Sequence, residues 1–65
     1  MEIADADLTV RAMNSLKGAE IWTIEQIQER GRTNFLRSKL TYAVKLEVLN
    51  FLHKNHLYFS DDEPI

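Results

Sequence analysis

Leu8-Thr9-Val10-Arg11-Ala12-Met13-Asn14-Ser15-Leu16-Lys17-Gly18 reads as one short amphipathic helix with a signal at each end. Thr9 has the side-chain oxygen that caps a helix start, and Gly18 is a natural stop after Lys17. At about 100° per residue, Ala12, Met13 and Leu16 share one side, and Arg11, Asn14 and Ser15 share the other. The apolar side is short, so this helix needs neighbours to bury it. Further along, Thr23 and Gln26 form a capping box that opens a helix to about Arg30, where Gly31 breaks it. Thr33 is positioned to cap a short turn through Phe35 and Leu36. Thr41 opens the longest helix, Tyr42 to Lys54, and Asn55 is a residue that tolerates the left-handed conformation ending many helices. Leu57, Tyr58 and Phe59 follow as an apolar tailpiece expected to fold back on the core. No stretch alternates cleanly and no Asn-Gly or Asp-Gly turn occurs, so strands are not expected. The fold class is all-α, four short helices joined by short turns.

The 65 residues and 45% hydrophobic content fit one small domain, too apolar for a disordered chain. With no cysteine, neither a disulfide nor a thiolate metal site is available to hold it, and packing must suffice. No apolar run approaches the roughly 20 residues of a membrane span, and no signal segment opens the chain. The expected compartment is the cytoplasm. Net charge is −2, unevenly spread. Glu2, Asp5 and Asp7 precede the pattern, and Asp61, Asp62 and Glu63 follow it. Between Leu8 and Ser60 there are eight Lys/Arg against four acids, so the body is mildly basic. Residues 1–7 and 60–65 are read as acidic flexible tails flanking a helical domain at 8–59.

The last helix carries two apolar stripes. Val44, Val48, Phe51 and Leu52 form a core stripe, and Tyr42, Leu46, Leu49 and His53 form a second. A helix this apolar is either the central helix of the domain or carries an exposed partner site. Chemistry is poorly represented. His53 and His56 lack a third metal ligand and read as a surface pair. Glu25 and Glu29 read as a solvated face. Ser15 has no histidine base near it, and no glycine-rich phosphate loop is present. Trp22 is expected as a lid on the core rather than a base-stacking residue. No enzyme, cofactor or metal is expected.

The stretch from Leu8 to Lys17 resembles the opening of the C-terminal domain of the bacterial RNA polymerase alpha subunit, whose pattern is L-T-V-R-S-x-N-C/S-L-K. Ile21, Ile24 and Ile27 continue in its register. With one residue deleted before the last helix, Glu47, Val48, Phe51, Leu52 and Leu57 also align, so the resemblance spans most of residues 8 to 59. It implies a compact four-helix fold of helix-hairpin-helix, SAM-like type. It also implies binding across the minor groove of A/T-rich promoter DNA and contacts with transcription factors or polymerase. The family's DNA-contacting arginine falls on Arg11, with Asn14 and Ser15 beside it. A guanidinium suits a narrow minor groove, and short polar donors let the helix approach closely. An ordinary solvated face is the alternative. The chain departs from the family where the last helix starts: a glycine, lysines and serine are replaced by Thr41-Tyr42-Ala43-Val44, with Lys39 and Lys45 as flanking substitutes. The expected DNA surface is Arg11, Asn14, Ser15, Lys39 and Lys45. The alternative function is a protein-interaction module, possible as a homodimer, using Tyr42, Leu46 and Leu49.

Overall fold

The computed structural model describes residues 1–62 and contains α1 (Val10–Gly18), α2 (Ile24–Arg30), α3 (Arg32–Leu36) and α4 (Tyr42–Lys54), with a 3-10 turn at Ile3–Asp5. Four helices and no strand occur among the described residues; the one extended pairing is an isolated bridge between Glu2 and Thr23. Three starts are capped as their sequences require. The hydroxyls of Thr9, Thr23 and Thr41 accept from the amides of Ala12, Gln26 and Val44. At Thr23 the box is reciprocal, because the Gln26 side chain accepts the Thr23 amide at 3.0 Å.

The fourth start and two of the ends differ from expectation. α3 begins at Arg32 with Gly31 as its cap, and Thr33 lies inside the helix. Gly31 has φ 90° and ψ 154°, a region essentially closed to residues with a Cβ. The left-handed residue after α1 is Glu20 (φ 62°), and after α4 it is His56 (φ 57°), so neither Gly18 nor Asn55 supplies the turn. Both ends are Schellman motifs. Glu20 and Ile21 amides bond the carbonyls of Lys17 and Leu16; His56 and Leu57 amides bond those of His53 and Leu52. The stop is set by the apolar residue that follows: Ile21 and Leu57 must turn back to the core, and the residue before each takes the turn.

α1 packs on α4, α2 on α3, and the 3-10 turn on α1. Ala12 and Leu16 of α1, Ile24 and Ile27 of α2, Phe35 of α3, and Val44, Val48, Phe51 and Leu52 of α4 meet in one core. The apolar side read for each helix is therefore the buried side, with Met13 half-buried.

The reading of residues 1–7 as a flexible tail is corrected. Ile3 is fully buried and Ala6 nearly so. The Ile3 amide donates to the Trp22 carbonyl at 2.9 Å, and the Ile24 amide to the Met1 carbonyl at 2.8 Å. One isoleucine among acids gives no periodic signal, yet it closes the core opposite α4. The carboxy-terminal reading is corrected as well, up to Asp62; residues 63–65 lie outside the described residues. Phe59 is buried and its ring sits 5.8 Å from that of Phe35. Leu57 is half-buried, whereas Tyr58 is exposed, so only part of the tailpiece folds inward. Ser60 donates to the Gln28 carbonyl, which also accepts the Gly31 amide, and to the Glu29 carbonyl at the end of α2. Asp61 accepts the Arg32 amide at 2.7 Å, supplying the start of α3 with the cap its own sequence lacks. The radius of gyration is 10.8 Å, close to the roughly 10.7 Å of a compact chain of this length. No helix among the described residues is long and apolar enough to cross a membrane.

Candidate nucleic-acid interface

The outer face of α1 is built by what the inner face buries. With Ala12 and Leu16 in the core, Arg11 and Asn14 are exposed and Ser15 is half-buried at their edge. Val10, 68% exposed, stands next to Asn14 and was not singled out by sequence because it falls off the apolar stripe. The face is thus a cation, an amide, a hydroxyl and an isopropyl group on one surface.

Arg11 occupies an unfavourable place for a cation. It lies in the first turn of α1, where the helix dipole is positive, and no acid sits in that turn. The compensation comes from α4. Glu47 lies across the start of α1, where its carboxylate accepts the Thr9 amide at 2.6 Å and the Thr9 hydroxyl at 2.9 Å. Thr9, Arg11, Ala43, Val44 and Glu47 line one shallow hollow between the two helices. In the sequence Glu47 stood out only as an aligned position of α4. In the fold it fixes α1 to α4 and sets the height at which Arg11 stands. The ion pairs among the described residues are Met1–Glu25 and Arg32–Asp62, so the Arg11 charge is left unpaired there.

The remaining candidates divide. Lys39 is exposed in the turn before α4. Lys45 is half-buried and its ammonium donates to the Leu36 carbonyl at 2.7 Å, capping the end of α3. The cause is local: at the end of α3 the Ser38 hydroxyl and amide take the Phe35 carbonyl, and the Leu36 carbonyl is met by the long donor on α4. Arg32 is committed too. Its guanidinium bonds both Asp62 oxygens, at 2.9 and 3.1 Å, and lies 5.0 Å from the centre of the Phe59 ring. The pairing holds Asp62 below the ordinary carboxylate range, chiefly through the Arg32 hydrogen bond, and holds Arg32 above its usual value.

Of the second stripe of α4, Tyr42 is 75% and Leu46 40% exposed, while Leu49 is partly buried against the core. The stripe is therefore open at Tyr42 and Leu46, dips inward at Leu49 and is exposed again at His53. His53 and His56 are both exposed, and no cluster of three metal-ligating side chains occurs among the described residues. Trp22 is 54% exposed, which corrects its reading as a lid; its backbone, not its ring, holds the amino-terminal turn. Compared with known proteins, the chain matches no protein-family model, no curated protein and no solved structure.

Proposed function

We propose that this domain is a non-catalytic DNA-binding module, similar in use to the polymerase alpha C-terminal domain it resembles, and that it engages the minor groove of A/T-rich duplex through α1. The observation that carries this reading is the unpaired Arg11 in the first turn of a helix. Its placement there costs about 0.3–1 kcal/mol against the dipole. Residues that break a local rule with their compensation supplied from elsewhere, here by Glu47, are characteristic of functional surfaces. Arg11 enters the groove, Asn14 and Ser15 bond phosphate or base edge, and Val10 lies against sugar. Lys39 adds a phosphate contact from the neighbouring turn. Lys45, tied to Leu36, contributes charge at a distance. Transcription factors or polymerase are the partners such a module meets at promoters.

With about three phosphate contacts, affinity should fall roughly 40-fold between 50 and 200 mM salt. Fluorescence anisotropy with a labelled A/T-rich duplex tests this. Arg11→Ala should abolish binding while leaving the circular dichroism spectrum unchanged and the melting temperature equal or slightly higher, because Arg11 makes no bond in the fold and stands against the helix dipole. Undiminished affinity in that variant would reject the assignment.

A second reading is favoured by a separate observation, the exposed Tyr42 and Leu46. An apolar pair at one end of an exposed helix stripe suits a protein partner. It is compatible with the first, because the stripe and the Arg11 hollow lie roughly 110–130° apart around α4.

A further inference from the structure

We infer that α4 is the contact helix of an antiparallel, two-fold symmetric dimer of this chain, with Tyr42 of each copy seated in a groove beside His53 of the other. The inference is independent of DNA binding. It starts from the spacing of the outer stripe. Tyr42, Leu46, Leu49 and His53 are separated by four, three and four residues, the alternation that forms a straight seam between two helices. The seam is open at one end and hollowed at the other. Tyr42 projects at 75% exposure, and about 16 Å further along the helix axis a groove is formed by Leu46, Leu49, His53, Leu57 and Tyr58. The knob and the hollow occupy the two ends of one helix. Only a partner of opposite direction brings each knob to the other's hollow, and a second copy provides that partner by symmetry.

Register and charge agree. A two-fold axis between Glu47 and Val48 sets Tyr42 against His53 of the other copy and Leu46 against Leu49. In that arrangement the two copies of Lys45 are offset by five residues, about 7 Å along the axis, and those of Lys54 by about 20 Å. A parallel pairing would set each lysine opposite its own copy, and would oppose two tyrosines while leaving both grooves empty. Leu36, 41% exposed and bonded through its carbonyl to Lys45, extends the apolar margin. A seam of three turns is short for a specific interface, so the dimer is weak and fast-exchanging.

Because the chain has no cysteine, single-cysteine variants at exposed positions report the geometry directly. Tyr42→Cys and His53→Cys are each oxidised alone and as an equimolar mixture. The expected result is a mixed disulfide in the mixture and little in either variant alone. A disulfide-linked homodimer of Tyr42→Cys alone, or none in the mixture, would overturn the antiparallel register. Sedimentation equilibrium up to millimolar concentration accompanies it. The unmodified chain should dimerise with little dependence on salt, and Leu46→Asp should weaken association more than about tenfold while keeping its helical spectrum. A chain monomeric throughout, or unaffected by Leu46→Asp, would overturn the proposal.

Discussion

Glu20 and His56 hold positive φ in positions where many helices place glycine. A residue with a Cβ in that region costs about 1–2 kcal/mol. Glycine relieves the strain and returns part of the gain through its freer unfolded state. Glu20→Gly and His56→Gly are therefore each expected to stabilise the domain by about 0.5–1 kcal/mol, seen as a higher midpoint in urea denaturation. Gly31 is the opposite case. Its φ is 90°, and a Cβ there would meet the Asp61 carboxylate at 3.1 Å. Gly31→Ala should destabilise by about 1–3 kcal/mol, and a midpoint equal to that of the unmodified chain would contradict the backbone assignment. The sequence showed Gly31 as a break but not Glu20 or His56 as turns. Gly18 was the visible stop for α1, but the chain turns where Ile21 has to reach the core, two residues later. Local chemistry names residues able to turn; long-range packing selects which one does.

At the scale of elements, the helices with their own caps were legible from their starts, whereas α3 was read as a turn through Phe35 and Leu36 with the wrong cap. α1, α2 and α4 announce themselves through Thr9, Thr23 and Thr41, and their buried faces follow from spacing alone. Thr23→Ala removes one half of a reciprocal box and should cost about 1 kcal/mol in the same denaturation assay. The start of α3 is capped by Asp61, 29 residues away, and its end by Lys45. Acids at a chain end read as solvated charge until the fold brings a helix start to them. The carboxy-terminal strap also has a pH signature. Asp62 is held below its ordinary pKa by Arg32. Its contribution is thus fully present above the normal carboxylate range, and disappears as pH falls through its lowered value. Asp62→Asn should lower the melting temperature at neutral pH, and the difference should shrink progressively as pH falls below the ordinary carboxylate range. A gap that stayed constant across that range would show that the ion pair contributes nothing.

For the whole molecule, the central question is what an unpaired arginine on the exposed face of α1 does in a fold that is not basic overall. The site was partly legible. Arg11, Asn14 and Ser15 share a face by angle count, and the structure exposes Arg11 and Asn14 there with Ser15 at the edge. The bond from Lys45 to the Leu36 carbonyl was not legible, because a lysine's spacing does not reveal which carbonyl of α3 lies beside it. Arg32 adds little positive surface, since Asp62 neutralises it and Phe59 stacks against it. The available positive surface is smaller than the residue count suggests, so the proposed binding rests mostly on α1. The most direct test is an NMR titration of the isotopically labelled protein with a short A/T-rich duplex at low and at moderate salt. The account predicts shifts centred on Val10, Arg11, Asn14 and Ser15 that weaken as salt rises. An unchanged spectrum at low salt, or shifts confined to other surfaces, would contradict it.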